Sequence, residues 1–456
     1  MIHKLCFLFV LITFCHLSFS KEGQSSWKKY PYYPEGAALI FPYDEGAHNF
    51  IPGLEWWYLV MHVRDIESGE KYSVLVTHFN NSYRFFTVTN IDQQTHLSAT
   101  VKGALLARPG ELDLEQHTPY GVDVLHNKKD PLGANIPFEY ELETHHSQMH
   151  LKAELKLKKR PMMVGGDGMV EIGSSGESWY YSLTNLEVLG ELTYGGKTFG
   201  IEGVAWMDHQ WGPFLISPVE GNRLFETYEW FCVHLDNNVE MMISNTYDRA
   251  YILNTKDPRY GGIQMIDAEG KSTGTLERSF VRNRYWQDPS TGHYMSMGWT
   301  VDVPKWDLHL EMTPEFEHQM VDFAAGGSFW EGSIKVAGKY QGIAVKGHSF
   351  GELMHRFQIP KIELLNLKDF YKKNQKIQLR WKVLNPDDGN PLNFDVLVKK
   401  LNSRFSRFFE NLSTDSVIVA SETNPLEVGQ YEVQVVANSV DKVIQSKATW
   451  AFEITD

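Results

Sequence analysis

The 456-residue chain carries 43 Lys and Arg against 57 Asp and Glu, a formal net charge of −14. That acidic balance, with no long basic run, excludes a nucleic-acid partner held by phosphate neutralisation, which needs clustered cations. With 42% apolar and 13% aromatic residues, disorder as the main state is excluded too, and the length suggests about three folding units.

The first element is a targeting segment. Met1-Ile2-His3-Lys4 precedes an apolar run from Leu5 to Leu17, and Ser18-Phe19-Ser20 follows. A basic start, a short apolar stretch and small residues two apart predict a signal peptide over residues 1–20 and an exported protein, periplasmic or secreted. The run is too short for a spanning helix. A lipid anchor at Cys15 is disfavoured by the bulky Phe14, and a buried N-terminal helix is the plainer alternative. Because Cys6 and Cys15 lie in this segment, Cys232 is the one thiol after cleavage. Stability must then come from core burial, not from an internal disulfide.

Glu55-Trp56-Trp57-Tyr58 is next, a carboxylate beside three rings on an apolar strand that continues to Val60. Glu55 is a candidate base or water-orienting group, with the rings lining a pocket for an apolar or cationic species; the bland reading is a core strand with its Glu at the wet end. Glu229-Trp230-Phe231-Cys232-Val233 can be laid over Glu55 to Leu59, which suggests two similar β domains in tandem.

Alternation of period two predicts a hairpin from Phe138, Tyr140 and Leu142 to Met149, Leu151, Ala153, Leu155 and Leu157. The stretch from Gly165 to Gly176 lacks the Lys-Ser/Thr ending of a phosphate loop and reads as a mobile loop or lid near the pocket. Gly203-Val204-Ala205-Trp206-Met207-Asp208-His209-Gln210-Trp211-Gly212 is the most loaded segment. A carboxyl among indoles is costly to ionise, so its neutral form is favoured and Asp208 becomes a candidate proton donor. If the segment is extended, Trp206, Asp208 and Gln210 share one face while Met207, His209 and Trp211 share the other. Asp208 and His209 then enter one cavity only through a bulge; otherwise they hydrogen-bond a domain junction.

A second hairpin runs from Met295, Met297, Trp299 and Val301 through Pro304-Lys305 to Trp306, Leu308, Leu310 and Met312. Gly347-His348-Ser349-Phe350-Gly351 matches the G-x-S-x-G nucleophile elbow, but no helix or downstream Asp-then-His pair follows. There is no H-E-x-x-H and no paired cysteine, so neither metal nor cofactor is expected. From Pro360 onward, Ile377 to Trp381 and Gly429 to Val435 read as short strands joined across the turn residues Asn385 to Gly389. Trp381 and Tyr431, the latter as a tyrosine corner, fit a small sandwich of immunoglobulin or fibronectin type, a spacer or adhesion module.

Several of these strings together resemble the AttH-like family, which is related to carotenoid 1,2-hydratase (hydroxyneurosporene synthase) and lipocalin-like in fold. The matching pieces are Gly53 to Tyr58, Ser178-Trp179-Tyr180-Tyr181-Ser182, Gly203 to Gly212, Phe329-Trp330-Glu331-Gly332 and Phe350-Gly351-Glu352-Leu353, in order over residues 35 to 357. The resemblance implies an all-β chain of two tandem lipocalin-like β-barrel domains, residues 21–200 and 201–357, with an immunoglobulin/fibronectin-like sandwich at 358–456 that lies outside the family core. It implies that the acid of the hydratase branch falls on Asp208, and that Gly347 to Leu353 is a strand ending in Glu352. Three functions are weighed. In the first, an isolated alkene in an apolar isoprenoid or lipid-like substrate is hydrated or rearranged: Asp208 is the acid, His209 or Glu55 orients water, and Trp56, Trp57, Tyr58, Tyr181, Trp206, Trp211 and Glu352 form the ligand surface. The second is a carrier of an apolar small molecule without chemistry, and the third an adhesion protein contacting the envelope or cell surface through its terminal sandwich.

Overall fold

Alternating sequence becomes alternating burial: along Met149–Leu157 every apolar residue is buried and its neighbours are outside. The computed structural model describes residues 27–173, 176–213, 226–248, 253–323, 327–357, 359–384 and 392–456. The expected signal segment and the Asn385 to Gly389 turn lie outside the described residues. Among these residues there are strands and short 3₁₀ turns but no α-helix, so the all-β expectation holds.

In the first sheet the antiparallel order is Thr95–Lys102, Tyr83–Asn90, Lys71–Phe79, Leu54–Asp65, Lys197–Gly212, Glu177–Tyr194, Met149–Leu157, Asn135–His146, Gly121–Lys129, Asp113–Thr118 and Ala104–Ala107. Its two outermost strands are consecutive in the chain, separated by Gly103 alone, and the sheet curls into a nearly closed barrel around Trp57, Leu59, Phe86, Tyr140, Leu183 and Met207. The second sheet, from Thr227–Leu235 to Ile343–Leu353, is a half-barrel around Phe231, Met297, Trp299 and Trp330.

Both sheets share one connectivity: the first strand bonds to the last, and the last to the one before it. The overlay of Glu55 on Glu229 therefore marks equivalent strands. The boundary expected at residue 200/201 falls inside the Lys197–Gly212 strand, which is bonded along its length to the first sheet. The second sheet begins only at Thr227. The physical reason is closure: after the turn at Gly195-Gly196 the chain returns to seal the first barrel before leaving it.

The two sheets meet through their outer faces. Tyr58, Val60, Leu75, Phe85, Tyr180 and Trp206 from the first pack with Trp230, Cys232, Met242, Phe329, Phe350 and Met354 from the second. At the seam's edges Lys159 Nζ pairs with Glu240 Oε2 at 2.7 Å, Gln264 Nε2 donates to the Met163 carbonyl at 2.7 Å, and His234 Nε2 donates to the Thr184 carbonyl at 2.7 Å. The G-x-S-x-G string lies in the extended Ile343–Leu353 strand with Ser349 buried, so it is no elbow. The glycine-rich stretch is anchored: Met162–Met163 and Met169–Glu171 both pair with Glu177–Tyr194.

Beyond residue 360, a three-stranded and a five-stranded sheet enclose Trp381, Val396, Tyr431 and Val433. Tyr431 Oη donates to the Glu427 carbonyl at 2.8 Å. This unit touches the half-barrel through Tyr285, Phe357 and Ile444, and Asp441 Oδ2 accepts the Tyr285 N–H at 2.6 Å.

Candidate active site

A cavity of about 1400 Å³ opens along the seam between the two sheets, lined by residues of both. Strand alternation decides what reaches it. Asp208 stands opposite Tyr58 on one neighbouring strand and Ser182 on the other. Trp56, Tyr58, Tyr180, Asp208 and Gln210 face the seam from the first sheet, and Tyr228, Trp230 and Glu352 from the second.

Asp208 is buried and doubly held: Trp206 Nε1 donates to Oδ1 at 2.6 Å, and Tyr180 Oη donates to Oδ2. Burial raises its pKa to about 6, against the pull of those hydrogen bonds. Glu352 accepts from Tyr228 Oη, and burial together with the Asp208 charge raises it to about 7 despite that bond. Glu331 stands directly opposite Glu352 on the adjacent strand and is buried. Burial first, and then the Glu352 charge, push its pKa well above the carboxylate range. Asp208 and Glu352 thus meet across the cavity with the phenols of Tyr58, Tyr180 and Tyr228 in its lining, and Glu331 stands beside Glu352 outside that lining.

The residues expected to form one site divide into two. Asp208, Trp56, Tyr58 and Glu352 line the cavity, and Trp206 stands behind Asp208 as its donor. Glu55, Trp57, Tyr181, His209 and Trp211 do not: they point into the interior of the first barrel. No bulge interrupts the pairing between Leu54–Asp65 and Lys197–Gly212, so neighbours in sequence take opposite faces. There Glu55 Oε1 lies 3.0 Å from His209 Nε2 and 2.9 Å from His48 Nδ1. Burial would raise Glu55, but hydrogen bonds from His209 and His48 outweigh it and bring its pKa down to about 2.

Sequence reasoning passed over Tyr180, Tyr228 and Glu331 as site residues. Tyr180 and Glu331 lie in motifs already singled out; the missing signal was which of two adjacent residues faces outward, and the alternation from Asp208 through the registered strands supplies it. Nothing local marks Tyr228, which reaches Glu352 only across strands.

The AttH-like family model matches residues 32–355. A solved structure described as a putative AttH from Nitrosomonas europaea superposes with a TM-score of 0.56 at 21% identity, covering 71% of this chain and 98% of that one. Kievitone hydratase from Nectria haematococca superposes at 0.55 with 16% identity, covering 72% and 98%. Among curated proteins, the dehydratase asqC of Emericella nidulans is 22% identical over 219 residues; that match takes in 43% of this chain and spans 55% of the relative's length.

Proposed function

From the premise that the chain belongs to the AttH-like family, we propose that it is a lyase of the hydratase or dehydratase type, acting on an apolar isoprenoid or lipid-like substrate in the seam cavity. The observation that carries this reading is the buried Asp208 carboxyl, fixed by Trp206 and Tyr180 and facing that cavity. In hydration, the Asp208 O–H adds its proton to one alkene carbon, and the positive charge left on the other is met by the faces of Trp56, Tyr58 and Trp230. Water then bonds to the cationic carbon and returns one proton to the Asp208 carboxylate left by the first step, so the net change is addition of H and OH and the acid is restored. Dehydration runs the same steps backwards. The names of the Nectria hydratase and the Emericella dehydratase support this class of reaction.

Incubating the full chain with prenylated and isoprenoid alkenes in ¹⁸O-water tests it. A product heavier by one labelled water, absent with Asp208→Asn, is expected; undiminished turnover by the folded variant sinks the assignment.

The second reading, a carrier without chemistry, is favoured by the cavity's size, which exceeds the roughly 300–1,000 Å³ usual for drug-sized ligands. Native mass spectrometry of protein from its own host would then show a lipid-like molecule that is released unchanged. Export belongs to the same proposal and rests on the Leu5 to Leu17 run; the N-terminus of protein from its host, found after residue 20 or not, decides it. A surface contact through residues 358–456 is the remaining proposal, tested by adhesion of the full chain to host cells.

A further inference from the structure

Inside the first barrel, on the opposite face of the strand from Asp208, we infer that His48, Glu55 and His209 form a site for one divalent transition-metal ion of the zinc class. The inference does not depend on the reaction proposed above. His48 Nδ1 and His209 Nε2 lie 2.9 and 3.0 Å from the same oxygen, Glu55 Oε1, and the three donor atoms all fall within 4.8 Å of one another. Bonds of about 2.0–2.1 Å meeting at octahedral or tetrahedral angles put neighbouring donors about 2.9–3.4 Å apart, so the short edges match. All three side chains are buried.

The outer hydrogen bonds orient the rings. His48 Nε2 faces Asp44 Oδ1 at 3.1 Å, and His209 Nδ1 faces the Asp44 carbonyl at 3.1 Å. A carboxylate and a carbonyl both accept, so each outer nitrogen can carry the N–H, which lets His48 Nδ1 and His209 Nε2 give up the protons they share with Glu55 and turn lone pairs to a metal ion. Metal binding would release those shared protons and leave the carboxylate and both imidazoles as ligands. A carboxylate or carbonyl on the far nitrogen is also the recurring support of metal-bound histidine. Stacking of His48 on Trp211 (3.8 Å, 4°) and of His209 on Trp57 (4.6 Å, 22°) fixes both ring planes before any ion arrives.

The repeat holds its equivalent carboxylate differently. In the half-barrel, Glu229 is the equivalent interior carboxylate, and Arg282 neutralises it with Nε at 2.8 Å and Nη2 at 2.6 Å. Among the described residues Glu55 has no Lys or Arg partner; its charged partners are the two imidazoles. Its other hydrogen bond comes from the His48 backbone N–H, 3.1 Å from both carboxylate oxygens. Where one copy carries a permanent guanidinium, the other presents a ligand set, with Glu55 Oε2 or one water completing the coordination. So enclosed a site is loaded as the barrel folds.

The full chain, stripped with chelator during refolding and refolded with Zn²⁺ or Co²⁺, tests the site. Expected are one equivalent retained after desalting, a raised melting temperature, and a Co²⁺ X-ray absorption spectrum showing two imidazoles. Glu55→Gln should weaken retention about a hundredfold or more. Glu143→Gln should not; it alters the half-exposed group Glu143, His145 and His150, the other cluster of suitable donors among the described residues. No retained ion, or retention lost with Glu143→Gln but kept with Glu55→Gln, overturns the proposal. Should Glu55→Gln fail to fold, the imidazole count of the unaltered protein decides, and fewer than two imidazoles overturns it.

Discussion

Asp208 and Glu352 show how position on a strand sets chemistry. Asp208 is buried and Glu352 half-buried, each accepts a phenol O–H, and each lines the same cavity. If Asp208 supplies the proton, Asp208→Asn keeps the shape but loses the acid, and kcat should fall about 10²–10⁴-fold with an unchanged circular dichroism spectrum. Glu352 makes a prediction that needs no substrate. Its folded pKa of about 7 lies above the ordinary 4.5, so between those values the native state holds a proton that the unfolded chain has released. Stability contributed by the neutral form is therefore lost as pH rises from about 4.5 to 7 and levels off above. Glu352→Gln should raise the melting temperature at pH 8 and change it little at pH 4, measured by calorimetry at the two pH values.

At the scale of elements, two glycines mark where strands crowd. A Cβ on Gly203 would sit 2.1 Å from the His62 carbonyl oxygen, and one on Gly347 2.0 Å from that of His234. Both clashes are with backbone, and each involves the closing strand of its sheet. Gly203→Ala and Gly347→Ala should each lower stability by about 1–3 kcal/mol in urea titrations, the cost of overpacking. The elements themselves were largely legible, because period-two alternation survives wherever one face is dry: the Phe138 to Leu157 and Met295 to Met312 hairpins stand where alternation put them. Alternation also foretold that Asp208 and His209 part company. It could not say which sheet a strand joins, so Lys197–Gly212 was divided between two domains. Nor does it assign faces beyond one strand: Tyr180, not the expected Tyr181, reaches the cavity, and Glu55, Trp57 and Trp211 turn away from it. His48 carried no signal at all; it precedes its strand and becomes a partner of Glu55 only when the barrel closes.

For the molecule as a whole, the terminal unit of two sheets meets the half-barrel where Ile444 packs against Tyr285 and Phe357 and Asp441 accepts the Tyr285 N–H. None of its described residues lines the cavity. Shortening the chain after residue 357 should leave apolar ligand binding intact while lowering the melting temperature, by about 2–4 °C for each kcal/mol that this interface contributes. Native mass spectrometry and calorimetry of the shortened and full chains check both halves of that statement.

Because the chamber lies in the seam and not inside either barrel, its walls are the outsides of two independently packed bodies. Side chains there can be exchanged without opening a hole in either core, and a slight change in how the bodies lean together would reshape the space while leaving each fold untouched. Such an arrangement frees the choice of guest from the demands of folding, so descendants of one doubled barrel can diverge in what they accept at little cost to their architecture.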